Sequence, residues 1–173
     1  KTWEEPNGWS KGLRFSRSHW RENYPGACPP GSIYGAGSPT GNLFIEDDTL
    51  GWQGAYLVCC MVRKEVMFSV PHLRDAQIEM SEHDTFLRLT PETRQQQPFL
   101  PTDLVLGTDG TLFLSDFYND TSRRTNQVSG TIYRISRKDS PHKPSPEIQL
   151  DTVPGLLDAL RNPAVNVRSH AAA

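Results

Sequence analysis

The chain has 173 residues, with 18 Lys and Arg against 20 Asp and Glu for a formal charge of −2. That balance leaves no basic footprint for nucleic acid or an acidic membrane surface, and no apolar run approaches the ~20 residues a membrane helix needs. Three cysteines, an odd number without CxxC spacing, exclude a disulfide scaffold, a zinc knuckle and covalently attached haem within this stretch. The five histidines (His19, His72, His83, His142, His170) are scattered without ligand spacing and read as surface or turn residues. The chain starts at Lys1 and stops in Ala171-Ala172-Ala173 partway through a helical pattern, which leads us to expect an internal piece of a longer protein.

Residues 1–33 are rich in Trp, Arg, Pro and Gly, with weak periodicity. Trp3, Trp9, Phe15, Trp20 and Tyr24 punctuate a polar stretch that reads as a long loop pinned onto a sheet by its aromatics, or as a rim loop over a pocket. Residues 34–90 read as a first blade of short antiparallel strands. A small-residue loop, Tyr34 to Gly41, leads into Asn42-Leu43-Phe44-Ile45; with no Lys and no helix after it, it is not a phosphate loop. Glu46-Asp47-Asp48 reads as a solvated acidic turn in preference to a calcium loop. The run 55–62 contains Cys59 and Cys60, whose side chains should point to opposite faces of a strand and act as small buried hydrophobes. Arg63-Lys64-Glu65 breaks the run before Val66 to Val70, and Ile78, Met80, Phe86 and Leu87 suggest a ragged outer strand. Residues 91–98, PETRQQQP, read as a polar connection.

The second blade is the clearest signal. Leu104-Val105-Leu106, Leu112-Phe113-Leu114 and Thr131 to Ile135 are three short apolar runs, the first two joined by Thr108-Asp109-Gly110, where Asp-Gly supplies positive φ angles. In the third run Ile132 and Ile135 are placed on one face and Tyr133 on the other. The polar loop Asn119 to Asn126 is long for a hairpin; it contains Arg123 and Arg124 and a glycosylation sequon at Asn119. Prolines 141, 144 and 146 mark a linker over 139–150. Beyond it Val153, Leu156, Leu157 and Leu160 fall on one helical face, capped by Asp151 or Thr152, with Pro154 in the first turn. Asn162-Pro163 stops this helix, and Val165 opens another. The expected fold is therefore mainly β: about two blades of a partial β-propeller over 34–138, then an α-helical hairpin over 151–173 of the kind that builds α-solenoids.

Three motifs resemble a known family in order: YGAGSPTG at 34–41, LVCCMVRKEVMF at 57–68, and PTDLVLGTDGTLFLSDFYN followed by SGTIYRI across 101–135. They are similar to the large membrane-bound dehydrogenase-like propeller proteins of planctomycetes and verrucomicrobia, of the glucose/sorbosone dehydrogenase type. LLDALRNPAVNVRSHAAA at 156–173 resembles the opening of a HEAT repeat, which follows the propeller in such proteins. The resemblance implies a periplasmic or cell-envelope quinoprotein whose propeller holds pyrroloquinoline quinone and calcium, oxidises a sugar or alcohol, and passes electrons to a cytochrome c domain. The missing blades of the same chain would then be this stretch's partners and would supply the catalytic histidine base, which nothing here carries.

Arg63 matches the position of a basic cofactor contact, and Lys64 beside it could add charge against cofactor carboxylates. Asp103 and Asp116 lie at strand edges near the expected axial face; turn capping is their alternative role. Where the family usually has an arginine before the Pro-Thr-Asp element this sequence has Leu100, which cannot pair with a carboxylate. Two functions follow as expectations: the C-terminal blades of a quinone-dependent sugar or alcohol dehydrogenase, inactive as a piece, or a non-catalytic propeller and helical-repeat module for binding or scaffolding.

Overall fold

The structure is a computed structural model that describes residues 37–75, 77–81, 83–96, 99–119, 128–139 and 144–173. The aromatic-rich segment 1–33, the start of the small-residue loop, the loop with Arg123 and Arg124, most of the sequon and part of the linker lie outside the described residues. The described fold is mainly β. Its strands are β1 (Pro39–Phe44), β2 (Tyr56–Cys60), β3 (Glu65–Ser69), β4 (Pro71–Arg74), β5 (Gln77–Met80), β6 (Asp84–Arg88), β7 (Pro101–Leu106), β8 (Leu112–Asn119) and β9 (Val128–Ile135). Its helices are α1 (Pro91–Gln96), α2 (Val153–Ala159) and α3 (Val165–Ala172).

The strands form three antiparallel sheets, ordered β1-β2-β3-β6, β4-β5 and β7-β8-β9. In the first sheet the apolar run at 55–62 becomes β2, turns through Met61 to Lys64 and returns as β3, with Tyr56 opposite Ser69 and Cys60 opposite Glu65. The ragged outer strand expected over 78–87 resolves into two elements. Ile78 and Met80 belong to the β4-β5 hairpin, while Phe86 and Leu87 belong to β6, the outer strand of the sheet. The polar connection 91–98 contains a short helix, whose Thr93 N–H is capped by Thr90 Oγ1 at 3.4 Å.

In the second sheet the β7-β8 turn falls at Thr108-Asp109-Gly110 as expected, but Asp109 does not share the positive φ. Gly107 N–H donates to Thr111 O at 2.8 Å, and only Gly110 is left-handed, at φ +77°. Asp109 instead folds its carboxylate back onto Thr111 N–H at 3.0 Å. One left-handed glycine after a type I-like bend is the usual solution for a loop longer than two residues.

The third strand corrects the sequence reading. Tyr133 and Ile135 pack together against the core, while Ile132 stands 75% exposed on the opposite face. Residues 132 and 135 are an odd number apart, so the two-residue period of a strand separates them and joins 133 with 135.

The main core lies between the two larger sheets. Leu57, Cys59 and Val66 face Leu104, Leu106, Leu112 and Leu114, with Ile45, Leu50 and Phe99 closing the edges. Val58, Cys60 and Met67 bury the other face of the first sheet. Cys59 and Cys60 are thus free, buried and on opposite faces, as the strand period requires. The sheets meet through their first strands. Thr40 Oγ1 donates to Pro101 O at 3.0 Å, and a Cβ at Gly41 would sit 2.4 Å from Asp103 Cα, so only glycine allows β1 and β7 this approach. Both strands start at the same end and run in the same direction.

The helical hairpin docks at the far end of those strands. Thr152 caps α2 by accepting Gly155 N–H at 3.2 Å, with Pro154 in the first turn as expected. Asn162 Oδ1 accepts Ala164 N–H at 2.9 Å and makes the corner. The expected apolar stripe of α2 does not supply the packing. Small residues do: Ala159, Ala164 and Val167 bury one another, with Ile148 and Ala171 beside them, because two short helices approach closely only through small side chains. Val153, Leu157 and Leu160 face away, exposed. Among the described residues no helix is long and apolar enough to cross a membrane.

Candidate functional site

The strand starts of β1 and β7, the β2-β3 turn and the end of β8 share one end of the sheets, and this end carries Arg63, Lys64, Asp103 and Asp116. Each is placed by its backbone. Arg63 and Lys64 sit in the β2-β3 turn, Lys64 exposed at φ +57°. Asp103 lies opposite Ser115, exposed on the outer face of β7, and Asp116 faces inward from β8 opposite Pro101.

Their bonds show what they can do. Arg63 Nε donates to Glu65 Oε1 at 2.6 Å, and Thr85 Oγ1 donates to Glu65 Oε2 at 3.2 Å. Burial pushes the Glu65 carboxyl up, but the Arg63 hydrogen bond and charge, with help from Thr85 and Arg88, outweigh it and hold Glu65 below the usual carboxylate range. The Arg63 cation is therefore already paired with an acid of its own chain. Asp103 Oδ1 accepts Leu104 N–H at 2.9 Å, a local cap. Asp116 is buried; its Oδ1 accepts Leu100 N–H at 2.6 Å and its Oδ2 accepts from Tyr133 Oη at 3.5 Å. Burial pushes the Asp116 carboxyl up, and these two donors only partly offset it. Its capping is real but spans sixteen residues, joining the entry of β7 to β8 and β9.

Calcium takes six to eight oxygen ligands, and a tricarboxylate quinone needs uncompensated cations. Among the described residues no group of three or more His, Cys, Asp or Glu could hold a metal ion, and the best-placed arginine already has an acid partner. The described residues do not by themselves fit a quinone or calcium site. Cys59 is no nucleophile either: burial first, then the negative charge near Asp103 and Cys60, pushes its thiol up to about 12.

Other polar residues matter more to the architecture than the sequence suggested. Asp109 is half-buried, accepts Thr111 N–H and pairs with Arg134 Nη2 at 3.0 Å. Burial raises its carboxyl, but the Thr111 and Arg134 hydrogen bonds outweigh that and hold it low. At the helical end Arg168 donates through Nη1 to Asn162 O at 2.7 Å and Pro163 O at 2.8 Å, and through Nη2 to Glu46. Asn162 Nδ2 reaches Thr108 O at 3.3 Å. These bonds clamp the hairpin beneath both sheets, and Arg168 had only a helix period to mark it. The acidic turn behaves as a turn: Asp47 Oδ1 accepts Thr49 N–H at 2.7 Å, and Glu46 serves Arg168. Compared with known protein families, curated proteins and solved structures, the chain matches none.

Proposed function

We propose that this chain is an architectural arc of a β-propeller, two successive blades with a helical hairpin clamped beneath them, and that its role is to build the ring and present the hairpin. The observation that carries the reading is the outer face of the second sheet. Val105 is 48%, Phe117 39% and Ile132 75% exposed on one face, turned away from the core. An apolar sheet face of this kind is built to lie against another sheet. The side-by-side first strands, running in one direction, support radial stacking, and the HEAT-like hairpin fits a solenoid's first unit. Asp116, Asp109 and Glu65 are spent on structural bonds, which favours a scaffold over a catalyst.

The test is Ile132→Glu. The wild-type chain should bind a hydrophobic dye and associate as concentration rises, and Ile132→Glu should relieve both while leaving its circular dichroism intact. In the longer parent the same change should open the ring. A monomeric, dye-silent wild-type chain with a sharp cooperative melt would overturn the reading.

A second reading has one observation in its favour: Lys64 stands exposed in the β2-β3 turn, at the end of the strands away from the hairpin. In it the parent is a quinone-dependent sugar or alcohol dehydrogenase, and this chain contributes structure and a minor charge contact. Quinone and calcium added to the parent should then support sugar-dependent dye reduction, and this chain alone should show none. A parent that turns over no sugar or alcohol with added quinone would sink this second reading and leave the first standing.

A further inference from the structure

We draw no further inference here: the strongest candidate, the exposed apolar patch formed by Leu73 and Ile78 directly opposite each other on the β4-β5 hairpin, carries nothing because nothing in the structure shows what covers it.

Discussion

Asp116 is the residue at which the structural and the cofactor readings of this protein part most clearly. Its carboxylate is buried, holds Leu100 N–H at 2.6 Å and is approached by Tyr133 Oη. Asp116→Ala leaves that N–H without its acceptor, a loss of about 1–3 kcal/mol. In a chain of this size that should lower the melting temperature by roughly 2–10 °C. Asp116→Asn keeps an acceptor oxygen of the same reach and removes a charge that burial disfavours, so it should be neutral or stabilising. The pH dependence gives an independent check. Because burial raises the folded-state value, the unfolded chain releases this proton first as pH climbs, and ionisation costs the folded state stability. That cost begins near the ordinary carboxylate value and is complete once pH exceeds the raised one. Chemical denaturation of wild type and Asp116→Asn from pH 3 to 8 should therefore show the variant gaining on wild type through that window and levelling off above it. If Asp116→Asn is as damaging as Asp116→Ala, the anion itself is needed and the capping argument fails.

The opposite sign should hold for Glu65, whose folded value is lowered: its stabilising contribution is present at neutral pH and lost as pH falls below the ordinary carboxylate range, so Glu65→Gln should flatten the acid limb of the denaturation profile. Gly41→Ala places a methyl 2.4 Å from Asp103 Cα and 2.6 Å from Thr102 O, both backbone atoms, and should cost at least about 2 kcal/mol by prising β1 from β7; a calorimetric melt reads it. Arg168→Met removes the contacts to Glu46, Asn162 O and Pro163 O and should raise amide exchange across α2 and α3 while the sheets keep their protection. Cys59, with its thiol near 12, should resist disulfide reagents at pH 8 until denaturant is added, as peptide mapping by mass spectrometry would show.

What the sequence makes legible here is local, and what it hides is relational. The strands of both sheets, the Thr152 cap and the opposed thiols follow from a two-residue period, a capping side chain and turn residues, all of which act within a few positions. The β4-β5 hairpin could not be read that way: Ile78 and Phe86 are both apolar, and only pairing partners decide that one leaves the sheet and the other closes it. For Ile132 the two-residue period of the strand, and not apolar character, decides the face, which sets it beside the exposed Val105 and Phe117. The same reasoning covers the hairpin, where Leu157 and Leu160 stand exposed while Ala159 and Ala164 make the contact.

The candidate site divides along the same line. Arg63, Lys64, Asp103 and Asp116 were chosen by type and position, and the fold does gather them at one end of the sheets. Yet a charge is usable by a ligand only if its neighbours leave it so, and Glu65 for Arg63 or Leu100 N–H for Asp116 are partners that no spacing rule announces. Glu65, Asp109 and Asp116 are engaged in holding strands and turns to one another, while Val105, Phe117 and Ile132 on the second sheet stand exposed. Engaged carboxylates between the strands and an exposed apolar face on the second sheet are what the proposed architectural role requires.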